Sequence, residues 1–519
     1  MKKTVFIRIV TLMLSVLMLA TVLVACKKEA GNEGETTAAP GGEGGNSVST
    51  GGEGGGDGEK VLDYYAWADN QDYSGKTFTL LTYDPAAQAS AGWRQYFQAH
   101  DDGAEKLNSA AVTRNNEIKE KIGVELATYL VEFASMVELI QTTTTAGMVT
   151  YDGIAFYATT GIESLMIGDY LANIKKIDTM NVQNEWYNKN ANQNFTIKNK
   201  QYCVVSDFTL PVQQRFAFLA NIDMIEEYGV LDQLGVETIY ELVNNGDWTF
   251  ENLQLMIKDV YAPSTSNVSG EYEAGDTYGF ATNKNSTTRF FNNWGEDIVK
   301  LDEYGRFVFN LQGGTLEDKF AALTAFSHDN PNIWYDEFHG ANGNAYYKIF
   351  QDGRAMFSTY SSDPWNLIDA KYQDGHFAYL PYPKYNSEQK DYITVTHGGL
   401  IAIPGLAVDT RFSGLMIEAL SALSHKYMRG AYVDNYFHAR VIQDPEGIEM
   451  YNIIINTAYY DIARYVDPSQ GNQGEKLCAY LVYYEYPLRT QRSLESRYAS
   501  HGAMVINGYT EFYSKLSEE

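Results

Sequence analysis

Lys76-Thr77-Phe78-Thr79-Leu80-Leu81-Thr82-Tyr83, the run from Asn108 to Gly123 and the run from Val124 to Val131 together decide the fold. The first alternates and is rich in β-formers, which predicts a strand. In the second, Val112, Ile118 and Ile122 recur at helical spacing and Gly123 supplies a stop, which predicts a helix over 108–122. Val124 to Val131 reads as a second strand, Phe133 to Met148 as a helix and Tyr151 to Phe156 as a third strand. Strands that alternate with helices predict parallel pairing through right-handed crossovers, hence an α/β sheet.

The same style continues outward. Tyr202 to Val205 and Arg215 to Asn221 read as strands, and Met224 to Tyr228 as a helix stopped at Gly229. Another helix begins after Thr249, a plausible N-cap. Further strands are expected at Tyr278 to Ala281, Ala355 to Thr359 and Leu400 to Ile403. From about Thr410 the pattern is mostly helical. No fixed-period repeat occurs, which argues against solenoids and propellers.

Upstream of this body the chain has another character. Lys2, Lys3 and Arg8 precede an apolar run from about Ile9 to Val24, and small residues then lead to Cys26. This is the layout of a secretory signal. Leu23-Val24-Ala25-Cys26 resembles the bacterial lipobox, which implies cleavage after Ala25 and lipidation of Cys26. A plain signal or a single membrane helix is the alternative. Residues 26–58 combine the lipidated Cys with a Gly/Glu-rich segment nearly free of large apolar side chains, which predicts a disordered tether. As a flexible coil of about 30 residues it reaches roughly 30 Å. Its glycine runs follow no strand, so they do not read as a nucleotide loop.

The chain carries 39 basic and 66 acidic residues. That balance argues against nucleic acid or anionic lipid as a partner. Cys203 and Cys478 are the only cysteines beyond Cys26, and a bridge and two buried thiols remain equally open. No zinc spacing is present, so no metal and no cofactor is expected. Tyrosine reaches 40 residues, with seven tryptophans. Such rings suit the apolar faces of sugars, although most belong to the core or its rim.

Several segments carry a resemblance. Ala111-Val112-Thr113-Arg114-Asn115-Asn116-Glu117-Ile118 leading into Ile122-Gly123-Val124, Asn221-Ile222-Asp223-Met224-Ile225 and Gly246-Asp247-Trp248-Thr249 occur in order. Gly275-Asp276-Thr277-Tyr278-Gly279-Phe280, Gly353-Arg354-Ala355-Met356-Phe357 and Leu380-Pro381-Tyr382-Pro383-Lys384-Tyr385 follow. The collinear set resembles the extracellular solute-binding lipoproteins of bacterial ABC importers, of the large carbohydrate-binding type. The resemblance implies a two-lobed periplasmic-binding-protein-like fold (type II), each lobe an α/β sheet domain, joined by crossing hinge strands. By analogy lobe one takes 75–207 and about 396–430, lobe two takes 217–394, and 430–519 forms a C-terminal helical segment across both. The hinge strands would run near 206–218 and 392–400. The implied protein is a non-enzymatic monomer, lipid-anchored on the extracellular face of the cell membrane. It would capture a carbohydrate, an oligosaccharide in first place, and deliver it to ABC permease transmembrane subunits.

Ligands of open α/β sheets sit beyond the carboxyl ends of strands. This nominates Tyr83, Asp84, Trp93 and Tyr157 in lobe one, with Asp207 and Arg215 at the first crossover. In lobe two it nominates Asn293 and Trp294 on a loop, then Tyr360, Asp363 and Trp365, with His397 at the second crossover. Each has a structural reading beside the functional one: Tyr83 and Tyr157 as covers of a sheet end, Asp207 as a turn cap, Arg215 as an ion-pair former, the tryptophans as core.

The rivals are a peptide or another organic solute in the same fold, a surface enzyme acting on polysaccharide, and an adhesion protein. A glycosidase needs two carboxylates at set separation, and acid pairs are too common here to carry information. No Gly-x-Ser-x-Gly elbow occurs.

Overall fold

A computed structural model of the protein describes residues 62–68, 72–84, 97–98, 105–157, 161–211, 215–269, 271–328, 330–339, 345–361, 376–396, 398–433, 444–469 and 493–517. Cys26, Trp93, Asp363, Trp365, His397 and Cys478 lie outside them. Along the chain, β1 (Thr77–Tyr83) is followed by α1 (Glu105–Ile122), β2 (Glu125–Val131), α2 (Met136–Thr145) and β3 (Gly153–Tyr157). Then come β4 (Phe216–Asn221), α3 (Phe250–Ile257), β5 (Tyr278–Thr282), β6 (Ile333–Tyr335), β7 (Ala355–Ser361) and β8 (Phe377–Leu380). The chain returns through β9 (Thr394–Val395) and β10 (Gly399–Ala402) to α4 (Thr410–Leu423), α5 (Pro445–Asn456), β11 (Ala458–Tyr459) and α6 (Leu494–Lys515).

Two mixed sheets form the two lobes. The first has the order β10-β3-β1-β2 and the second β6-β5-β7-β4-β8. β1 runs parallel to β2 and β3, as the strand–helix alternation predicts. β10 is antiparallel to β3, and β4 is antiparallel to both its neighbours. The chain enters the second sheet at β4, after a short 3-10 turn at Asp207–Thr209, and re-enters the first at β10.

β1 is buried on both faces. Phe78 and Leu80 point into one core with Ile118, Ile122 and Phe412, while Leu81 and Tyr83 point into another with Ile140 and Phe156. A strand covered on both sides needs apolar residues in near-continuous runs, which Phe78 to Tyr83 nearly supplies. β4 does the same in lobe two, with Ala217 and Leu219 on one side and Phe218 and Ala220 on the other. α1 ends where Gly123, at φ +71°, donates back to the Lys119 carbonyl. A Cβ there would lie 2.5 Å from Ser74 Oγ, so the stop requires glycine. Thr249 caps α3 through a bond from Asn252 N–H at 3.3 Å.

Three expectations need correction. Tyr202 to Val205 is no strand, since only Val204 bridges to Ile401. Asn292 and Asn293 belong to a short helix, Arg289–Asn293, with Trp294 at its C-terminal end, and not to a loop. β6, β8 and β11 are additional; each has only two to four residues, too few for a period to emerge. Cys203 is a buried free thiol, and burial pushes its pKa well up. Among the described residues no helix is long and apolar enough to cross a membrane.

Candidate functional site

The first sheet fixes what lies where. Outward from β1 come β3, β10, Val204 and then Tyr187, which bridges to Ser206. Val204 pairs antiparallel to β10, so the chain leaves lobe one at the same end as the carboxyl ends of β1 and β3. It passes Asp207, reaches Arg215 and enters β4. The return crosses from β9 through Thr396 to β10, and Arg215 bridges to Thr396. The two crossings therefore form one antiparallel hinge along one margin of lobe one.

Within this hinge Arg215 Nη1 donates to Thr396 Oγ1 at 2.6 Å and to the Pro211 carbonyl at 3.0 Å. The Tyr465 hydroxyl donates to the Thr396 carbonyl. Thr396 N–H donates to the Tyr459 carbonyl at 2.9 Å. A Cβ on Gly398 would stand 2.7 Å from the Tyr460 hydroxyl, so this tyrosine lies directly on the second crossing.

The carboxyl ends of β1 and β3 carry Tyr83 and Tyr157. Tyr83 is buried against Phe133, and its hydroxyl accepts from Tyr157 N–H at 3.2 Å. Tyr83 thus covers the end of β3. Half-buried Tyr157 extends from that end, and Asp84 N–H closes onto the Val131 carbonyl at 2.9 Å. In lobe two the Arg289 guanidinium lies 3.4 Å above the Phe216 ring at the start of β4. Burial pulls the pKa of Arg289 down to about 10. Arg464 adds like charge, and Tyr382, Tyr157 and Tyr346 lie within electrostatic range. Arg464 Nε donates to Asn292 Oδ1 at 2.8 Å and its Nη2 to the Thr288 carbonyl at 3.2 Å. Burial raises the pKa of Tyr465 well above its usual value, with Tyr460 and Tyr157 adding to the effect. These groups define a seam: Tyr157 of lobe one lies within electrostatic range of Arg289 and Tyr465, Arg289 stacks on Phe216 in lobe two, and Arg464 of the C-terminal segment docks beside them on Asn292 and Thr288. Aromatic faces beside guanidinium donors can hold a ring that carries hydroxyl or carboxylate acceptors.

Of the remaining nominated residues, Asp207 and Arg215 come together and the others are dispersed. Asp207 is 7% exposed, and its carboxylate meets His425 Nδ1 at 2.5 Å and Arg429 Nη1 at 3.8 Å. It borders, with Arg215, Asn190 and Asn456, a cavity of about 340 Å³ at the first crossing. Asn293 is structural: its Oδ1 accepts from Val395 N–H at 2.9 Å and its Nδ2 donates to the Arg289 carbonyl at 2.9 Å. Trp294 is 2% exposed, packed among Phe250, Phe290 and Tyr385, and donates to the Pro383 carbonyl at 3.1 Å. It is a core tryptophan in this arrangement, with no open face for a sugar. Tyr360 sits on β7 opposite Ala217.

Sequence reasoning did not find Phe216, Arg289, Arg464 or Tyr465. Arg289 follows the end of β5 by seven residues, so the rule of strand ends points at its region. Arg464 and Tyr465 come from a distant segment, and no local signal marks them.

No protein-family model and no curated relative matches the sequence. Solved structures do. A cyclo/maltodextrin-binding protein crystallised with maltotetraose is 12% identical with a TM-score of 0.53, covering 86% of this chain and 98% of its own. UspC of M. tuberculosis is 13% identical with a TM-score of 0.52, covering 83% of this chain and 100% of its own. A de novo designed esterase is 12% identical with a TM-score of 0.51, covering 85% and 100%. At such identity the likeness establishes the architecture and leaves the chemistry to the site. The body of this chain has the two-lobed fold of the periplasmic-type binding proteins.

Proposed function

We propose that the protein is a lipid-anchored binding protein of the extracellular membrane face. It would hold a carbohydrate, foremost an oligosaccharide, between its lobes and hand it to an ABC permease. The observation that carries this reading is the seam: Tyr157, at the carboxyl end of β3 in one lobe, lies within electrostatic range of Arg289, which stacks on Phe216 in the other. Its support is the fold shared with a protein crystallised with maltotetraose. Two α/β lobes on crossing strands close as rigid bodies about the hinge. A ligand that touches both lobes favours the closed form by its differential affinity. Tyrosine and phenylalanine faces would take the apolar sides of sugar rings, while arginine donors take hydroxyl oxygens. Thermal-shift screening of oligosaccharides, peptides and amino acids tests the reading. Stabilisation by an oligosaccharide recovered intact is expected. A peptide-only response would redirect the ligand class, and cleavage of the sugar would overturn the binding role.

A further inference from the structure

None of Tyr157, Phe216, Arg289, Arg464 and Tyr465 lines the cavity at the first crossing. The strand itself separates the two places. Arg215 and Phe216 are consecutive in extended backbone, so their side chains leave opposite faces. Phe216 packs against the core that holds Phe218, whereas Ala217, on the Arg215 side, belongs to another core with Met428 and Ile454. Ile455 packs against that second core and lines the cavity with Arg215.

The cavity walls come from both lobes. Trp186, Asn190 and Asp207 belong to lobe one, and Arg429 ends the helical turn that follows α4. Asn456 ends α5, which packs on β8 of lobe two where the rings of Tyr451 and Tyr379 stand 6.0 Å apart. The charged walls carry both signs: Glu185 and Asp207 against Lys189, Arg215 and Arg429. Asp207 and Arg215 are more than nine-tenths buried. A lone ion of either sign therefore meets a like charge in this space. A hydroxyl does not, because it donates to a carboxylate and accepts from a guanidinium, ammonium or amide. Asn190 Oδ1 is taken by Tyr460 N–H at 2.7 Å, which leaves its Nδ2 as a donor. Trp186, Pro211 and Ile455 supply apolar surface beside these groups. A volume of about 340 Å³ stands at the small end of ligand pockets.

We propose that this cavity is a second binding site, separate from the seam, for a neutral polyol of monosaccharide size. Its hydroxyls donate to Asp207 and accept from Arg429, Asn190 and Asn456, so the bound molecule spans from lobe one to the helix seated on lobe two.

Isothermal titration of the intact protein with D-glucose, D-galactose and D-mannose tests the proposal, with D-gluconate as the charged control. At least one neutral monosaccharide should bind. Asn456→Trp fills the cavity from the exposed end of α5 and should weaken that binding at least about tenfold. Tyr157→Ala, in the seam, should leave it unchanged. Should Asn456→Trp not fold, Arg429→Met removes a donor from the same wall and should show the same direction of loss. Binding retained in the cavity variant, binding lost in Tyr157→Ala, a response to gluconate alone, or no response to any of the sugars would each overturn the site. These outcomes hold whichever ligand the seam takes.

Discussion

Arg215 and Thr396, 181 residues apart in the chain, meet at 2.6 Å and fasten the two crossings to each other. Arg215 is 4% exposed and its strand continues directly into β4, so the contact sits at the entrance to lobe two. Thr396→Val keeps the β-branched shape and removes the acceptor. Weakening a buried bond to a charged donor costs about 1–3 kcal/mol. Urea unfolding should show that loss, and ligand affinity should fall with it because the hinge register loosens. Unchanged stability and affinity would show that the pair does not set the hinge.

Trp294 separates two readings of one residue. As a stacking face its removal would abolish binding and leave stability nearly intact. As a core residue wedged between Phe250 and Tyr385, Trp294→Ala should cost about 3–5 kcal/mol. Chemical denaturation of the unliganded variant distinguishes these outcomes. The packing calls for the large stability loss.

Tyr157 is the seam residue for which a binding role was nominated and which retains access. Tyr157→Ala should weaken ligand binding about tenfold, equivalent to about 1.4 kcal/mol, with little change in melting temperature of the free protein. Tyr157→Phe keeps the ring and loses only the hydroxyl. Isothermal titration with a stabilising sugar would then assign the effect: recovery in the Phe variant points to stacking, and failure to recover points to the hydroxyl.

The sequence made the first lobe readable because its elements are long and periodic. Phe78 to Tyr83 and the apolar positions of α1 state their period within a single window. β6, β8 and β11 are not readable for the opposite reason: two to four residues carry no period, and tertiary pairing alone makes them strands. The site divides in the same way. Tyr83 and Tyr157 end strands that the pattern reveals. Arg464 reaches the seam only because Asn292 and the Thr288 carbonyl, some 170 residues earlier in the chain, receive its guanidinium. Asp207 lies at the first crossing, where the pattern puts it, but the sequence does not say that His425, 218 residues later, meets its carboxylate.

The anchor assigned to Cys26 has a consequence separable from binding. Near the start of the described residues is a turn at Tyr64 and Tyr65, where the Tyr65 hydroxyl donates to Glu117 on α1 at 2.5 Å. On the proposed anchor, a flexible tether of about 30 residues would reach only roughly 30 Å, so anchored bodies would stay near the membrane at high local concentration. Cys26→Ser removes the lipid acceptor and leaves every residue of the seam in place. The variant should be released into the medium and bind its sugar with unchanged affinity. Uptake of that sugar by cells carrying only this variant should drop, because the released protein dilutes away from its permease. Cell fractionation, titration and an uptake assay read the three quantities independently. Uptake at the wild-type rate by released protein would show that tethering is incidental to delivery.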